Sequence, residues 1–213
     1  MDKVEVKFGE WIERGFNLYK QNFVLLFLVA LIGGILSAAS LLILSGPMMA
    51  GTILICLKLH DGEAPRPEVG SLFRGFDFFL QSTLFIGGWS LALFVVQGVL
   101  FVVPCVGQIA GLCLAVAAWT FLMFGLFLIA DRKMDFWPAS VESFNVVKTN
   151  FWPFLGLSLI VSIIGSLGAI LCGIGLALTL PVYYCTMTVA YREVFSGQSA
   201  PFTPILSKTS DAD

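Results

Sequence analysis

The sequence predicts an all-α integral membrane protein with six transmembrane helices, arranged as three helical-hairpin units that are each preceded by an interfacial amphipathic helix. Three observations predict it. Hydrophobic residues make up 58% of the 213 positions and charged residues 12%, against roughly 45 to 50% and about 25% in a soluble domain. None of the 12 Lys and Arg or 14 Asp and Glu residues falls within 21–57, 78–130 or 149–191. A charge at the centre of a spanning helix costs about 2.5 to 3.5 kcal/mol, so stretches this free of charge point to selection by a bilayer. Third, the motif Gly15 to Phe23, GFNLYKQNF, returns as Ser143 to Phe151, SFNVVKTNF. Asn17, Lys20 and Asn22 recur as Asn145, Lys148 and Asn150, each time directly before a long apolar run. In a chain with 20 Phe residues the polar matches carry the information. The motif reads as a hinge where a helix on the membrane surface hands over to one that crosses it.

A helix rising ~1.5 Å per residue needs about 20 residues to cross ~30 Å of hydrocarbon. The first and third charge-free stretches therefore hold two spans each, and the second holds two long ones. In residues 4–20, Phe8, Trp11, Ile12, Phe16 and Tyr19 recur at spacings of three or four, with Lys7, Glu10, Glu13 and Arg14 on the other faces. That is an amphipathic helix. Its direct fusion to a span places it on the membrane surface; a soluble helix packed on a partner is the alternative. Asn22 has the chemistry to cap the helix that follows.

The run from Phe23 to Leu57 turns at one of two places, residues 37–40 or residues 45–47. Pro47 precedes Lys58 by the same interval as Pro181 precedes Arg192, which puts both prolines inside or near the start of a span. A polar loop over His60 to Pro67 follows, and Val69 to Leu80 predicts a second surface helix with Leu72, Phe73, Phe76 and Phe79 or Leu80 on one stripe. Residues 81–103 and 108–130 form the third and fourth spans around a turn at 104–107. Asp131, Arg132 and Lys133 close that stretch. Asp135, before Phe136, Trp137 and Pro138, opens a third surface helix. The fifth span is 151–171, the break 172–175, and the sixth span ends near Phe195; the tail 202–213 reads as disordered. The three units are 8–65, 69–135 and 136–201, within one membrane domain.

All Lys and Arg residues lie in segments assigned to one face, so the positive-inside rule makes that face cytoplasmic, with both termini inside. Met1 to Arg14 carries charges of both signs and lacks the apolar core of a cleavable signal. A net charge of -2 gives no reason to expect nucleic acid as a partner.

Transporters commonly carry an ionisable residue inside a span, and none is seen here. Ser158, Ser162 and Ser166 recur every four residues, as do Gly107, Gly111 and Ala115, giving two ridges read as sites of close helix packing rather than a conduction path. His60 is the sole histidine and reads as a solvated loop residue; no metal site, cofactor or catalytic residues are predicted. Cys105 and Cys172 both map to far-side turns and could pair as a disulfide in an oxidising compartment, although small buried hydrophobes are the preferred description. Lys20, Lys58, Lys148 and Arg192 sit where spans meet the charged face and are the candidate contacts to lipid headgroups or a partner, in a belt whose ordinary role is anchoring.

The segments Gly46-Pro47-Met48-Met49-Ala50-Gly51, Phe144 to Trp152 and Ala190-Tyr191-Arg192 resemble those of uncharacterised bacterial multi-span integral membrane proteins, similar to the membrane domain of glycerophosphoryl diester phosphodiesterases. The resemblance implies a helical bundle in a bacterial inner membrane. It carries over no catalysis and no site residues. The expected function is a non-enzymatic accessory or scaffold protein that docks a membrane-protein partner or organises membrane lipids at the cytoplasmic face; the alternative is a transporter or channel for a lipid or small apolar solute.

Overall fold

The computed structural model describes residues 7–102, 105–168 and 174–196, and every regular element among them is helical. The helices are α1 (Phe8–Gln21), α2 (Phe23–Ala39), α3 (Ser45–Asp61), α4 (Val69–Leu100), α5 (Val106–Arg132), α6 (Phe136–Thr149), α7 (Phe151–Leu167) and α8 (Ile174–Ser196). The sequence expectation of six spans is not matched by length and apolarity. Among the described residues only α4 and α5 are long and apolar enough to cross a bilayer by themselves, and the number rises to four if the bent pairs α1/α2 and α6/α7 each count as one span. Helices α2, α3 and α7 have 17 residues each, about 25 Å at helical rise. The 23-residue α8 is long enough but less apolar, since Thr179, Tyr183, Tyr184, Thr186 and Thr188 interrupt it.

The two copies of the repeated motif make the same bend. The chain turns by 90° between α1 and α2 and by 109° between α6 and α7. Asn22 lies at φ -124°, ψ 28° and Asn150 at φ -138°, ψ 49°. Each donates its backbone N–H to the carbonyl three residues back, Tyr19 or Val147, at 3.1 Å. Each carbonyl then accepts the first bond of the next helix, from Leu26 at 3.0 Å and Phe154 at 3.2 Å. One turn before each bend, the ammonium groups of Lys20 and Lys148 lie 4.5 and 5.9 Å from the ring centres of Phe16 and Phe144. The expected cap on α2 is absent. The Asn22 side chain reaches backward, donating Nδ2–H to the Leu18 carbonyl at 3.1 Å. A sharp bend strands carbonyls at the end of α1, and the amide satisfies one of them.

The turn between α2 and α3 occupies residues 40–44 and uses serines from both regions the sequence offered. Ser40 Oγ donates to the Ser37 carbonyl and accepts from Leu44 N–H, while Ser45 Oγ donates to the Leu42 carbonyl. Leu41 and Leu42 take left-handed conformations at φ 51° and 70°. Pro47 falls in the first turn of α3, where its missing N–H costs no hydrogen bond, and Pro181 lies inside α8.

Helix α4 begins as a 3₁₀ turn over Val69–Phe78 and holds one π turn at Leu84–Gly88. Three residues per turn make i and i+3 eclipse. The predicted single stripe therefore splits: Leu72 and Gly75 are buried, while Phe73, Phe76 and Phe79 form an exposed stacked row with ring centres 6.3 and 6.2 Å apart. Helix α5 is interrupted at Met123 and Phe124, and a side chain from α6 fills the break. Ser143 Oγ donates to the Phe121 carbonyl at 2.7 Å and accepts from Phe124 N–H at 3.2 Å. Ser143→Ala is expected to cost about 1 to 3 kcal/mol, because it leaves buried backbone groups unpaired; a thermal melt in detergent measures it.

Helices α3 and α8 form the centre, with Ile53, Ile55, Cys56, Cys185, Met187 and Tyr191 almost wholly buried. Helix α1, the 3₁₀ turn of α4 and helix α6 each cross another helix at a small residue. Gly15 of α1 lies against α8, where a methyl group would come within 2.5 Å of Thr186 Cα. Gly75 of α4 lies against α3, where a methyl would overlap the Pro47 carbonyl and come within 2.6 Å of Gly51 N. Ser143 of α6 lies in the break of α5. The contacts close a ring, since α1 at the start of the chain seats on α8 at its end.

Candidate functional site at the charged helix ends

The charge-free stretches end at Lys58, Asp131 and Arg192, and the fold brings the last turns of α3, α5 and α8 together at one level. Arg192 is the centre. Its Nε and Nη2 donate to the two oxygens of Asp61 at 3.1 and 2.5 Å, and its Nη1 and Nη2 donate to the two oxygens of Asp131 at 2.9 and 3.0 Å. One planar fork thus ties three helices, a geometry available to guanidinium and not to ammonium. Tyr191 donates its hydroxyl to Asp131 at 2.8 Å, and His60 Nδ1 lies 3.2 Å from Asp61. The trio is partly exposed, at 29% for Arg192, 27% for Asp61 and 21% for Asp131, so water screens it in part.

Beside the clamp is a cavity of about 250 Å³, roofed by the 3₁₀ turn of α4. Its floor is apolar, with Leu54, Leu57 and Phe78. Around the rim, Lys58 approaches Glu63 at only 3.9 Å. Arg74, Asp77 and Lys133 also line it, and among the described residues their side chains make no hydrogen bond or ion pair.

The four basic residues singled out from the sequence therefore divide. Lys58 and Arg192 meet at this cavity; Lys20 and Lys148 stay at the two bends, each over the Phe one turn earlier. Arg192 spends its fork on Asp61 and Asp131 rather than facing outward. Sequence reading missed Asp61, Asp131, Arg74 and Lys133; the signal for the first pair was available, because charges that bound neighbouring charge-free stretches share a depth. Cys105 is exposed with φ 63°, and its proposed disulfide partner Cys172 lies outside the described residues. Among the described residues no group of three or more His, Cys, Asp or Glu is placed to hold a metal ion.

A larger cavity, about 510 Å³, opens among α3, α4, α5, α7 and α8 and is lined mostly by apolar side chains. Ser158, Ser162 and Ser166 line it together with Trp119, Tyr183 and Tyr184. This corrects the expectation that the serine ridge is a packing seam: α7 meets α8 instead at Gly165, whose carbonyl accepts from Thr179 Oγ at 2.7 Å. The glycine ridge does pack, since Gly111 is covered by the amide of Gln97 on α4. No protein family matches the chain, and no curated protein or solved structure is significantly similar to it.

Proposed function

We propose that the chain is a non-catalytic membrane module of three repeated units, each a surface helix followed by two membrane-inserted helices, with the charged face and both termini cytoplasmic. In this reading the short helices α2, α3 and α7 complete six spans, with the bilayer thinned or the helix ends extended by interfacial residues. The module organises lipid or docks a membrane-protein partner through its layer of surface helices. The observation that carries this reading is the ring of surface segments, each anchored on an inner helix and each keeping an aromatic face free: Phe16 on α1, the Phe73, Phe76 and Phe79 row on α4, and Trp137 and Phe144 on α6. Ion pairs and hydrogen bonds hold the layer in place. Trp11 Nε1 and Arg14 Nη1 both donate to Glu193 at 2.6 Å, and Gln81 of α4 donates to Asp135 at 2.7 Å and accepts from Phe136 N–H at 3.0 Å.

Extraction from native membranes in mild detergent tests it. The expected result is a stoichiometric protein or lipid that stays with the chain through purification and is lost when Phe73 and Phe76 are both changed to Ser. Purification of the chain alone, with solute flux after reconstitution into liposomes, would overturn it. The second reading, a carrier or channel for a lipid or small apolar solute, is favoured by one observation, the 510 Å³ cavity with its serine row among apolar side chains.

A further inference from the structure

We propose that the cavity beside the Arg192 clamp binds the headgroup of an ethanolamine-type phospholipid, with its phosphate held by Arg74 and Lys133 and its ammonium by Asp77. This rests on the membrane reading above and adds a ligand to it. Four features point the same way. First, the depth fits: the cavity lies at the level where the charge-free stretches end, which is where headgroups lie, and its floor of Leu54, Leu57 and Phe78 suits the glycerol and upper acyl atoms.

Second, the charges are sorted. Arg192 spends four of its five N–H donors on Asp61 and Asp131, and Lys58 has Glu63 beside it. What remains unpaired at the rim is two cations and one anion, Arg74, Lys133 and Asp77. Counting every lining charge, Lys58, Arg74, Lys133 and Arg192 balance Asp61, Glu63, Asp77 and Asp131. A rim that is neutral as a whole but has separate free cations and a free carboxylate complements a zwitterion better than a simple anion.

Third, Lys133 stands where a side chain is costly. It ends α5 in a left-handed conformation, φ 53°, ψ 35°. The corresponding position after α3 is Gly62 at φ 67°, the residue that such a helix end ordinarily takes. Backbone strain of about 1 to 2 kcal/mol is the cost of keeping a lysine there, and the side chain it retains lines the cavity. Fourth, Arg74 and Asp77 are three apart on the 3₁₀ turn, so its period of three places them on the same edge.

The test is native mass spectrometry of the full chain in detergent, titrated with short-chain phosphatidylethanolamine, phosphatidylcholine and phosphatidylglycerol, and with soluble glycerophosphoethanolamine as competitor. Phosphatidylethanolamine should be retained roughly tenfold more tightly than phosphatidylcholine, whose methylated ammonium cannot donate to Asp77. Arg74→Gln and Lys133→Gly should each weaken it by roughly tenfold, and Asp77→Asn should abolish the preference over phosphatidylcholine. Lys133→Gly relieves the strained backbone, so its fold is secure and a loss of binding reports the ammonium. Equal retention of the three lipids, unchanged retention in Arg74→Gln and Lys133→Gly, or no displacement of phosphatidylethanolamine by excess soluble headgroup compound would each overturn the proposal. Copurification of a protein partner with Lys133→Gly would leave the scaffold reading standing when the lipid site fails.

Discussion

Gly75→Ala is expected to cost about 3 kcal/mol or more and to leave little monodisperse protein after extraction. The added methyl would meet the Pro47 carbonyl and Gly51 N, both backbone atoms of α3. Overpacking against side chains is relieved by a change of rotamer at about 1 to 3 kcal/mol. Against backbone on both sides there is no rotamer to change, so α4 must lift off α3. The reverse face of the contact predicts the same: Gly51→Ala would drive a methyl into the Leu72 carbonyl. Gly70→Ala is the control. It lies in the same 3₁₀ turn with nothing within 4 Å of the added carbon, and a melting temperature within a degree or two of the parent is expected. Similar losses for Gly70→Ala and Gly75→Ala would show that the turn, and not its contact with α3, sets the stability.

The second large effect is expected at Arg192. Removing the fork with Arg192→Gln leaves Asp61 and Asp131 facing each other across the ends of α3 and α5 without a cation between them. Breaking a fully buried pair costs about 3 to 5 kcal/mol; since all three residues are partly exposed, the expectation is reduced to about 1 to 3 kcal/mol. Arg192→Lys should fall between, because an ammonium keeps the charge and cannot span four carboxylate oxygens in one plane. Adding Asp61→Asn and Asp131→Asn to Arg192→Gln should recover most of the loss. Failure of that triple variant to recover stability would mean that the fork acts through packing on Tyr191, whose ring centre lies 5.7 Å from the guanidinium carbon.

The hinge was legible in the sequence because it is polar. In an apolar chain, Asn17, Lys20 and Asn22 cannot recur as Asn145, Lys148 and Asn150 by composition alone, and the structure gives both copies the same backbone turn. The chemistry of the hinge was less legible. Asn22 can cap forward or back with equal ease, and the side taken depends on which helix end the bend leaves bare. The turn at residues 40–44 was bracketed by the two serine-bearing regions but not placed, because it is built on left-handed Leu41 and Leu42 where a Gly or Asn would have marked it. The winding of Val69–Phe78 was also hidden. A spacing of three or four fits an α-helix and a 3₁₀ helix equally over ten residues, and only the close seat of Leu72 and Gly75 on α3 decides between them. The clamp of the candidate site was readable as a set of depths and not as contacts, since nothing in one chain says which helix ends are neighbours. The serine row misled because small residues allow close packing without requiring it.

The seat of α1 on α8 has a consequence for assembly. Trp11 and Glu193 are 182 residues apart in the chain, so α1 finds its neighbour on α8 only after the helices between them have been made. Synthesis at about 5 to 20 residues per second puts that delay at roughly ten seconds or more. Throughout it the aromatic face around Trp11 needs another cover, which on the proposed membrane-surface placement of α1 is the headgroup layer. The amphipathic character of α1 thus serves the nascent protein as a waiting position before it serves the finished one.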